Sequence, residues 1–133
     1  MDGKRARPRK APRTSPKESV LHIAVANTLR DHALPEWLWW HTPNGGRRDI
    51  ITASRFKAMG VRPGIPDFLL LPTSGRIHFL EIKRHSETLS AAQEDFQNRA
   101  IRHSWPHSVA DTLDQALAAL NHWGCLRRIG GAP

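Results

Sequence analysis

The sequence predicts an α/β fold of the α+β type, in which helices flank a mixed central sheet and the chain runs helix, three strands, helix, strand, helix. Three observations lead to this prediction. A helix-capping pattern precedes an apolar stripe near the beginning of the chain, a turn of hairpin length separates two short apolar runs in the middle, and a second capping pattern opens the last third. The 133 residues are enough to bury one core of this kind.

The first helix is predicted from Pro16 to about Asp31. Ser15 suits the N-cap position, proline is favoured at the first helical position, and Glu18 stands three residues after the cap, so the segment has the form of a capping box. An apolar stripe at helical spacing follows and is expected to face the core. It consists of Leu21, Val25 and Leu29, with Ile23 and Ala24 beside them.

A short strand, a turn and a short helix are predicted next. Residues 38–41 are aromatic and branched, which is typical of a strand. Residues 44–48 indicate a flexible turn that carries two positive charges. Residues 52–59 could form a helix capped by Thr52, and residues 61–66, with two prolines and a glycine, predict an irregular approach to the following strand.

A hairpin is predicted from Asp67 to Lys83, with its turn over residues 72–76. If the turn is centred on Ser74, Asp67 lies directly opposite Glu81, and such residues project to the same face with Cβ atoms about 4.5 to 5.5 Å apart. Strand alternation places Lys83 on this face as well. One face would then present two carboxylates and one ammonium group, and a slip of one residue in the register would separate them.

The last third predicts a helix, a strand and a helix. Residues 90–103 form the first of these helices, because Ser90 and Gln93 make a second capping box. A strand follows over residues 107–110. The final helix is capped near Asp111 or Thr112 and ends before residue 124, a glycine.

Charge divides the chain into tails and a body. The net charge is +8, from 20 basic and 12 acidic residues, and residues 1–17 alone contribute +6. Residues 1–15 are basic and rich in proline, which predicts a disordered tail, and residues 16–124 form the domain, with a C-terminal tail over residues 125–133. The basic tail would be a non-specific phosphate-binding arm or a solubilising leader, and its charge leaves both readings open.

Other residue types exclude several classes of protein. The single cysteine, Cys125, excludes an internal disulfide framework and a cysteine-rich zinc site, and it favours a reducing, cytoplasmic setting. No apolar run approaches the roughly 20 residues of a transmembrane helix, so no membrane is expected as a partner. The histidines are scattered without the spacing of a helical zinc pair. His41 and His85 are expected near the charged end of the hairpin, in solvated or packing roles.

The opposed carboxylates indicate a particular chemistry. Asp67 and Glu81 would repel each other unless a cation lay between them, and Mg²⁺ prefers such oxygen ligands while keeping several waters. An ion at this position suits phosphodiester hydrolysis, with Lys83 orienting water or stabilising charge, and it requires no small-molecule cofactor. The alternative is a solvated acid after a turn and an exposed charge pair on a strand.

These motifs together resemble the PD-(D/E)xK nuclease signature and, more narrowly, its VRR-NUC subfamily. The resemblance covers about residues 16–124. It is carried by Gly64-Ile65-Pro66-Asp67, by Glu81-Ile82-Lys83, by Leu89-Ser90-Ala91-Ala92-Gln93, and by the preceding Gly60-Val61-Arg62-Pro63 and the Asn44-Gly45 turn. It implies a restriction-endonuclease-like αβββαβ core and a Mg²⁺- or Mn²⁺-dependent endonuclease acting on DNA.

The resemblance also implies roles for individual residues. Asp67 and Glu81 would bind the metal, the carbonyl of Ile82 would complete the protein ligands, and Lys83 would assist the attacking water. Members of the subfamily include stand-alone phage and bacterial proteins, so the implied setting is the cytoplasm of a bacterial or phage-infected cell. The implied substrates are branched, flap or Holliday-junction DNA, and the implied assembly is a homodimer.

Two further residues are similar to family positions but have a competing local role. Glu18 is similar to the family's first-helix acid, which adds a carboxylate near the metal or through water. Gln93 is similar to the polar residue that braces the site from a later helix. Each is also the third residue of a predicted capping box, and a carboxylate that closes a cap cannot easily reach a metal as well.

Basic residues that precede the hairpin are candidate contacts to DNA phosphates. A solvated loop is the equal alternative for them, and the motifs do not separate DNA from RNA. A nucleic-acid-binding module without turnover and an RNA-cleaving nuclease therefore remain as alternative functions. The candidate contacts are Asn44, Arg47, Arg48, Arg55 and Lys57.

Overall fold

The computed structural model describes residues 16–43, 50–85 and 87–128. The basic tail, the cap at Ser15 and the turn over residues 44–48 lie outside these ranges. Within them, no helix is long and apolar enough to cross a membrane. The elements are α1 Pro16–His32, β1 Leu38–His41, α2 Ile50–Ala58, β2 Phe68–Leu71, β3 His78–Ile82, α3 Ala91–His103, β4 His107–Ala110 and α4 Leu113–His122.

The observed elements confirm the predicted fold class, and their bounds agree with the prediction to within one or two residues. The start of α2 differs from the prediction. This helix begins at Ile50, so Thr52 lies inside it and is not its N-cap. By contrast, Thr112 does cap α4, with its side chain accepting a hydrogen bond from the backbone of Gln115.

The sheet is mixed and has the order β1-β2-β3-β4. The pairs β1–β2 and β2–β3 are antiparallel, whereas β4 runs parallel to β3 because α3 carries the chain back to the other end of the sheet. Leu69 pairs with Phe79, which is the register expected from a turn centred on Ser74. The predicted alignment of the hairpin is therefore confirmed.

One face of the sheet forms the core with α1 and α4. Alternation directs Phe68 and Leu80 to this face, where both are fully buried, and each buried side chain of this size contributes about 1.5 to 3 kcal/mol. Ile23 was expected beside the stripe of α1 but is 59% exposed, because two helical residues span about 200° and turn it away from Val25. The core residues are Val25, Leu29, Phe68, Leu70, Leu80, Ile82, Ala110, Ala116, Leu120, Cys125 and Leu126.

The other face of the sheet supports α3. The ring of Phe79 packs edge to face on Phe96 of α3, with the centroids 4.8 Å apart. The beginning of α3 is held by the loop before β2, since Gly64 has a φ of +82° and a Cβ there would lie 2.5 Å from the backbone of Ala92. Only glycine satisfies both conditions, and the contact seats the first turn of α3 beside the hairpin.

The packed chain continues past Gly124, the last residue of the predicted domain. This glycine adopts a φ of +74° after α4. Cys125 is then fully buried, and Leu126 forms an isolated bridge with Ala33 at the end of α1. Residues 125 and 126 therefore belong to the core, although they were expected in the C-terminal tail.

Candidate active site

Asp67 lies one residue before β2, where the pairing of the hairpin ends. Its side chain is buried, and its Oδ2 accepts a hydrogen bond of 2.7 Å from the backbone N–H of Ile82. Its carbonyl accepts a second hydrogen bond of 2.7 Å, from the backbone of Thr42. The carboxylate thus stands where a strand carbonyl would otherwise continue the ladder, and its orientation is fixed by the backbone of β3.

Pro66 explains why the ladder stops at this point. The register of the hairpin, extended by one pair, would place Pro66 opposite Ile82. Proline has no N–H to donate, so it cannot bond the carbonyl of Ile82. The N–H and C=O of a strand residue point to the same side, and the N–H of Ile82 points to Asp67. The carbonyl of Ile82 therefore also faces the aspartate side, where it could serve as a metal ligand.

Glu81 faces the same site from β3 and is 3% exposed. Burial raises the pKa of its carboxyl to about 9, the negative charge of Asp67 adds to this effect, and Lys83 opposes it. The two acids are close enough to hydrogen-bond through a proton on Glu81. Two neighbouring buried acids of this kind suit a hard divalent cation, which would take the place of the proton on Glu81 and offset both negative charges.

Gln93 fills both of the roles that were expected to compete for its side chain. Its Oε1 accepts a hydrogen bond of 2.8 Å from the backbone of Ser90, which completes the capping box of α3. Its Nε2 donates a hydrogen bond of 2.9 Å to Oε1 of Glu81. An amide has an acceptor at one end and a donor at the other, so one side chain closes the cap and braces the carboxylate.

Glu18 reaches the site from the first turn of α1. It lines a cleft together with Asp67, and its charge contributes to the raised pKa of Glu81. Its Oε1 lies 3.6 Å from Nε2 of His22, which follows one helical turn later. The structure therefore brings a third carboxylate into the cleft that Asp67 lines, and its part in binding a metal stays a prediction.

Lys83 follows the last residue of β3 and is half-buried. Its backbone N–H donates to Ala110, which continues the pairing with β4 and fixes the direction of the chain. Its ammonium group favours the charged form of Glu81, an effect that requires the two groups to be near each other. The hairpin thus presents the two acids and the lysine together.

Two histidines join this group: His41, which was expected near the charged end of the hairpin, and His22, whose position was not predicted. His22 lies in α1 and His41 in β1, with Nδ1 of the first 2.8 Å from Nε2 of the second. Burial lowers the pKa of His41, the nearby His22 lowers it further, and Asp67 opposes both effects. The sequence contained one signal for His22, its place four residues after Glu18, which puts both on one face of the helix. His85 instead pairs with Asp111, at 3.0 Å.

The candidate phosphate contacts are only partly described. Asn44, Arg47 and Arg48 lie outside the described residues. Arg55 and Lys57 are exposed on α2, a helix without buried residues, and no contact within the described ranges joins them to the carboxylates. Their role in binding nucleic acid stays a prediction.

Comparison with solved structures finds one that is similar over most of this chain. It is a VRR_NUC domain with a TM-score of 0.57 and 17% sequence identity, and the alignment covers 82% of this chain and 99% of that domain. No protein-family model and no curated protein matches the chain. The likeness extends over the whole length of the related domain, and at this identity it establishes the architecture. The chain has the fold of a VRR_NUC domain, as its motifs predicted.

Proposed function

We propose that this chain is a nuclease that depends on a divalent metal ion and hydrolyses DNA phosphodiester bonds. The observation that carries the proposal is the buried pair of Asp67 and Glu81, with Lys83 beside it, at the end of a hairpin whose ladder is interrupted. Buried acids that repel each other lower stability, and a ligand that needs both would account for their placement together. The VRR_NUC fold supports the same function.

The residues present fit Mg²⁺ or Mn²⁺. Asp67, Glu81 and the carbonyl of Ile82 would hold the ion, and Glu18 would add a carboxylate directly or through water. All four donors are oxygens, which both ions accept. When bound, the ion would supply a positive charge that stabilises the reacting phosphate and favours ionisation of water.

The remaining work falls to the protein's own groups. The hydrogen bond from the backbone of Ile82 holds Asp67 in one orientation, and the amide of Gln93 does the same for Glu81. Preorganised ligands of this kind do not have to rearrange during the reaction. The ammonium group of Lys83 would orient the attacking water or offset the charge that develops on the phosphate oxygens.

We further propose that the substrate is branched or flap DNA and that the active form is a homodimer in the cytoplasm of a bacterial or phage-infected cell. Both follow from the subfamily that the motifs resemble. The exposed Arg55 and Lys57 would contact phosphates of the duplex, as would the basic residues of the 44–48 segment. Phosphate contacts hold a duplex in place without reading its sequence, so selection would act on the shape of the DNA.

The test is cleavage by the purified full chain. Labelled linear duplex, flap, four-way junction and single-stranded DNA, and a matched RNA, are incubated with Mg²⁺, Mn²⁺ or EDTA. We expect cleavage with either metal, none with EDTA, and a loss of at least about 100-fold in Asp67→Asn and Lys83→Ala. The nucleic acid that is cut most rapidly then defines the substrate class of the nuclease.

Two matched variants control for general effects of charge. Asp31→Asn and Arg84→Ala change exposed residues of the same charge and should retain the wild-type rate. Binding of these nucleic acids without cleavage in either metal would refute the proposal and favour a binding module. Equal cleavage by wild type and Asp67→Asn would point to a contaminating nuclease. Preferential cleavage of the RNA would replace DNA as the substrate.

A further inference from the structure

Two imidazoles, those of His22 and His41, lie near the carboxylate of Asp67. His41 pairs with Phe68 across β1 and β2, so both lie on the sheet face that α1 covers, and His22 projects from α1 toward them. One ligand atom from each of His22, His41 and Asp67 can be chosen so that all three lie within 4.8 Å of one another. Two nitrogens and one carboxylate oxygen thus lie near one another.

One ring nitrogen of His22 faces the two acids, Glu18 and Asp67. Nε2 of His22 is buried and has no hydrogen-bond partner among the described residues. It lies 3.6 Å from Oε1 of Glu18 and 4.0 Å from Oδ2 of Asp67. Both distances are too long for a hydrogen bond. They match two ligand atoms of one ion, because bonds of about 2 Å to a metal place its ligands roughly 3 to 4 Å apart.

The surroundings allow an ion to reach this point. The three residues line an open cleft of about 480 Å³, together with Glu18, Pro43 and Phe68. His41 is exposed at its outer side, so solvent has access to the imidazoles. The cleft also leaves room for the water that usually completes the coordination of zinc when the protein supplies three ligands.

We propose that His22, His41 and Asp67 form a second metal site that takes a transition ion of the zinc type. Imidazole nitrogen favours Zn²⁺, Co²⁺ and Ni²⁺, whereas Mg²⁺ requires oxygen ligands. An ion bound to Nε2 of His22 lies away from Nδ1, so the exposed ring of His41 would leave its contact with Nδ1 and turn a nitrogen toward the ion. The site differs in chemistry from the oxygen site at Glu81 and shares Asp67 with it. It does not depend on nuclease activity and is tested without it.

The test is metal binding by the full chain after removal of bound metals. Zn²⁺ affinity is measured by calorimetry, and the visible absorption of Co²⁺ reports the ligand geometry, each in an excess of Mg²⁺. We expect the wild type to bind one ion, and its Co²⁺ form to show the absorption spectrum of a low-symmetry site. His41→Ala should weaken Zn²⁺ binding at least about tenfold. His22→Asn should have the same effect. His85→Ala, which removes the exposed histidine paired with Asp111, should bind as the wild type does.

Glu81→Gln separates this proposal from the nuclease proposal. This variant removes an acid of the oxygen site, so it should still bind Zn²⁺ through the histidines but should no longer bind Mg²⁺. The proposal is overturned if His41→Ala binds Zn²⁺ as tightly as the wild type, or if excess Mg²⁺ displaces the ion. It is also overturned if Glu81→Gln abolishes Zn²⁺ binding and His41→Ala does not. Circular dichroism establishes folding, and the exposed position of His41 makes its variant the decisive one.

Discussion

Glu81→Gln should make the metal-free protein more stable at neutral pH, although it removes a residue of the site. The pKa of Glu81 is raised to about 9 from an ordinary value of 4.5, mainly by burial. The folded protein therefore binds a proton that the unfolded chain has released. The stability contributed by this proton is complete below pH 4.5, declines as the pH rises, and is lost above about 9.

The size of the effect follows from the proton count. One proton corresponds to about 1.4 kcal/mol per pH unit, so the free energy of unfolding of the wild type should fall by close to 3 kcal/mol between pH 5.5 and 7.5 relative to the variant. This is roughly 10 °C in melting temperature for a domain of this size. The amide of glutamine is neutral at both values of pH, and it can still accept the hydrogen bond from Gln93.

Urea unfolding in EDTA, followed by the fluorescence of the five tryptophans, measures this difference at several values of pH. Glu36→Gln is the matched control, because Glu36 is exposed and its variant should follow the wild type. Added Mg²⁺ at about one hundred times its Kd should stabilise the wild type by about 2.7 kcal/mol and leave Glu81→Gln unchanged. A difference between variant and wild type that does not change with pH would refute the argument from the buried carboxyl.

Two further predictions concern the beginning of α3. Gly64→Ala should lower the free energy of unfolding in urea by about 3 kcal/mol, since its Cβ would meet the backbone of Ala92 at 2.5 Å. Gly75→Ala has a similar φ of +81° but open space around its Cβ, so it should lower this free energy by only about 1 kcal/mol. Equal losses in the two variants would show that the contact with Ala92 is unimportant. Ser90→Ala should lose about 1 kcal/mol of stability and keep its Mg²⁺ affinity. Gln93→Met should lose stability as well as Mg²⁺ affinity, with Mg²⁺ binding weakened at least about tenfold in calorimetry. Unchanged Mg²⁺ binding in Gln93→Met would contradict the role of Gln93 in bracing Glu81.

The hairpin could be predicted from the sequence because its determinants are local. A short turn fixes the register, and strand alternation then decides which side chains share a face. The opposition of Asp67 and Glu81 follows from these two facts. The capping box at Ser90 was equally readable, since a cap depends on residues within one turn of helix.

The contacts that escaped prediction are those between distant segments. His22 meets His41 and Asp67 only because α1 packs across the sheet, and no spacing within the sequence encodes that crossing. The approach of Gly64 to Ala92 is of the same kind. The start of α2 was missed for another reason. An exposed helix without buried residues has no apolar stripe to mark its limits.

The double use of Gln93 limits which residues that position can accept. Glutamate would close the cap but would place a negative charge against Glu81, and methionine or leucine would do neither. Asparagine has the right amide but is one methylene shorter. In a library randomised at this codon, selection for folding alone should therefore recover glutamate and glutamine, whereas selection for metal binding should recover glutamine. The two selections would then recover different residues at position 93, which would separate its contribution to stability from its contribution to metal binding.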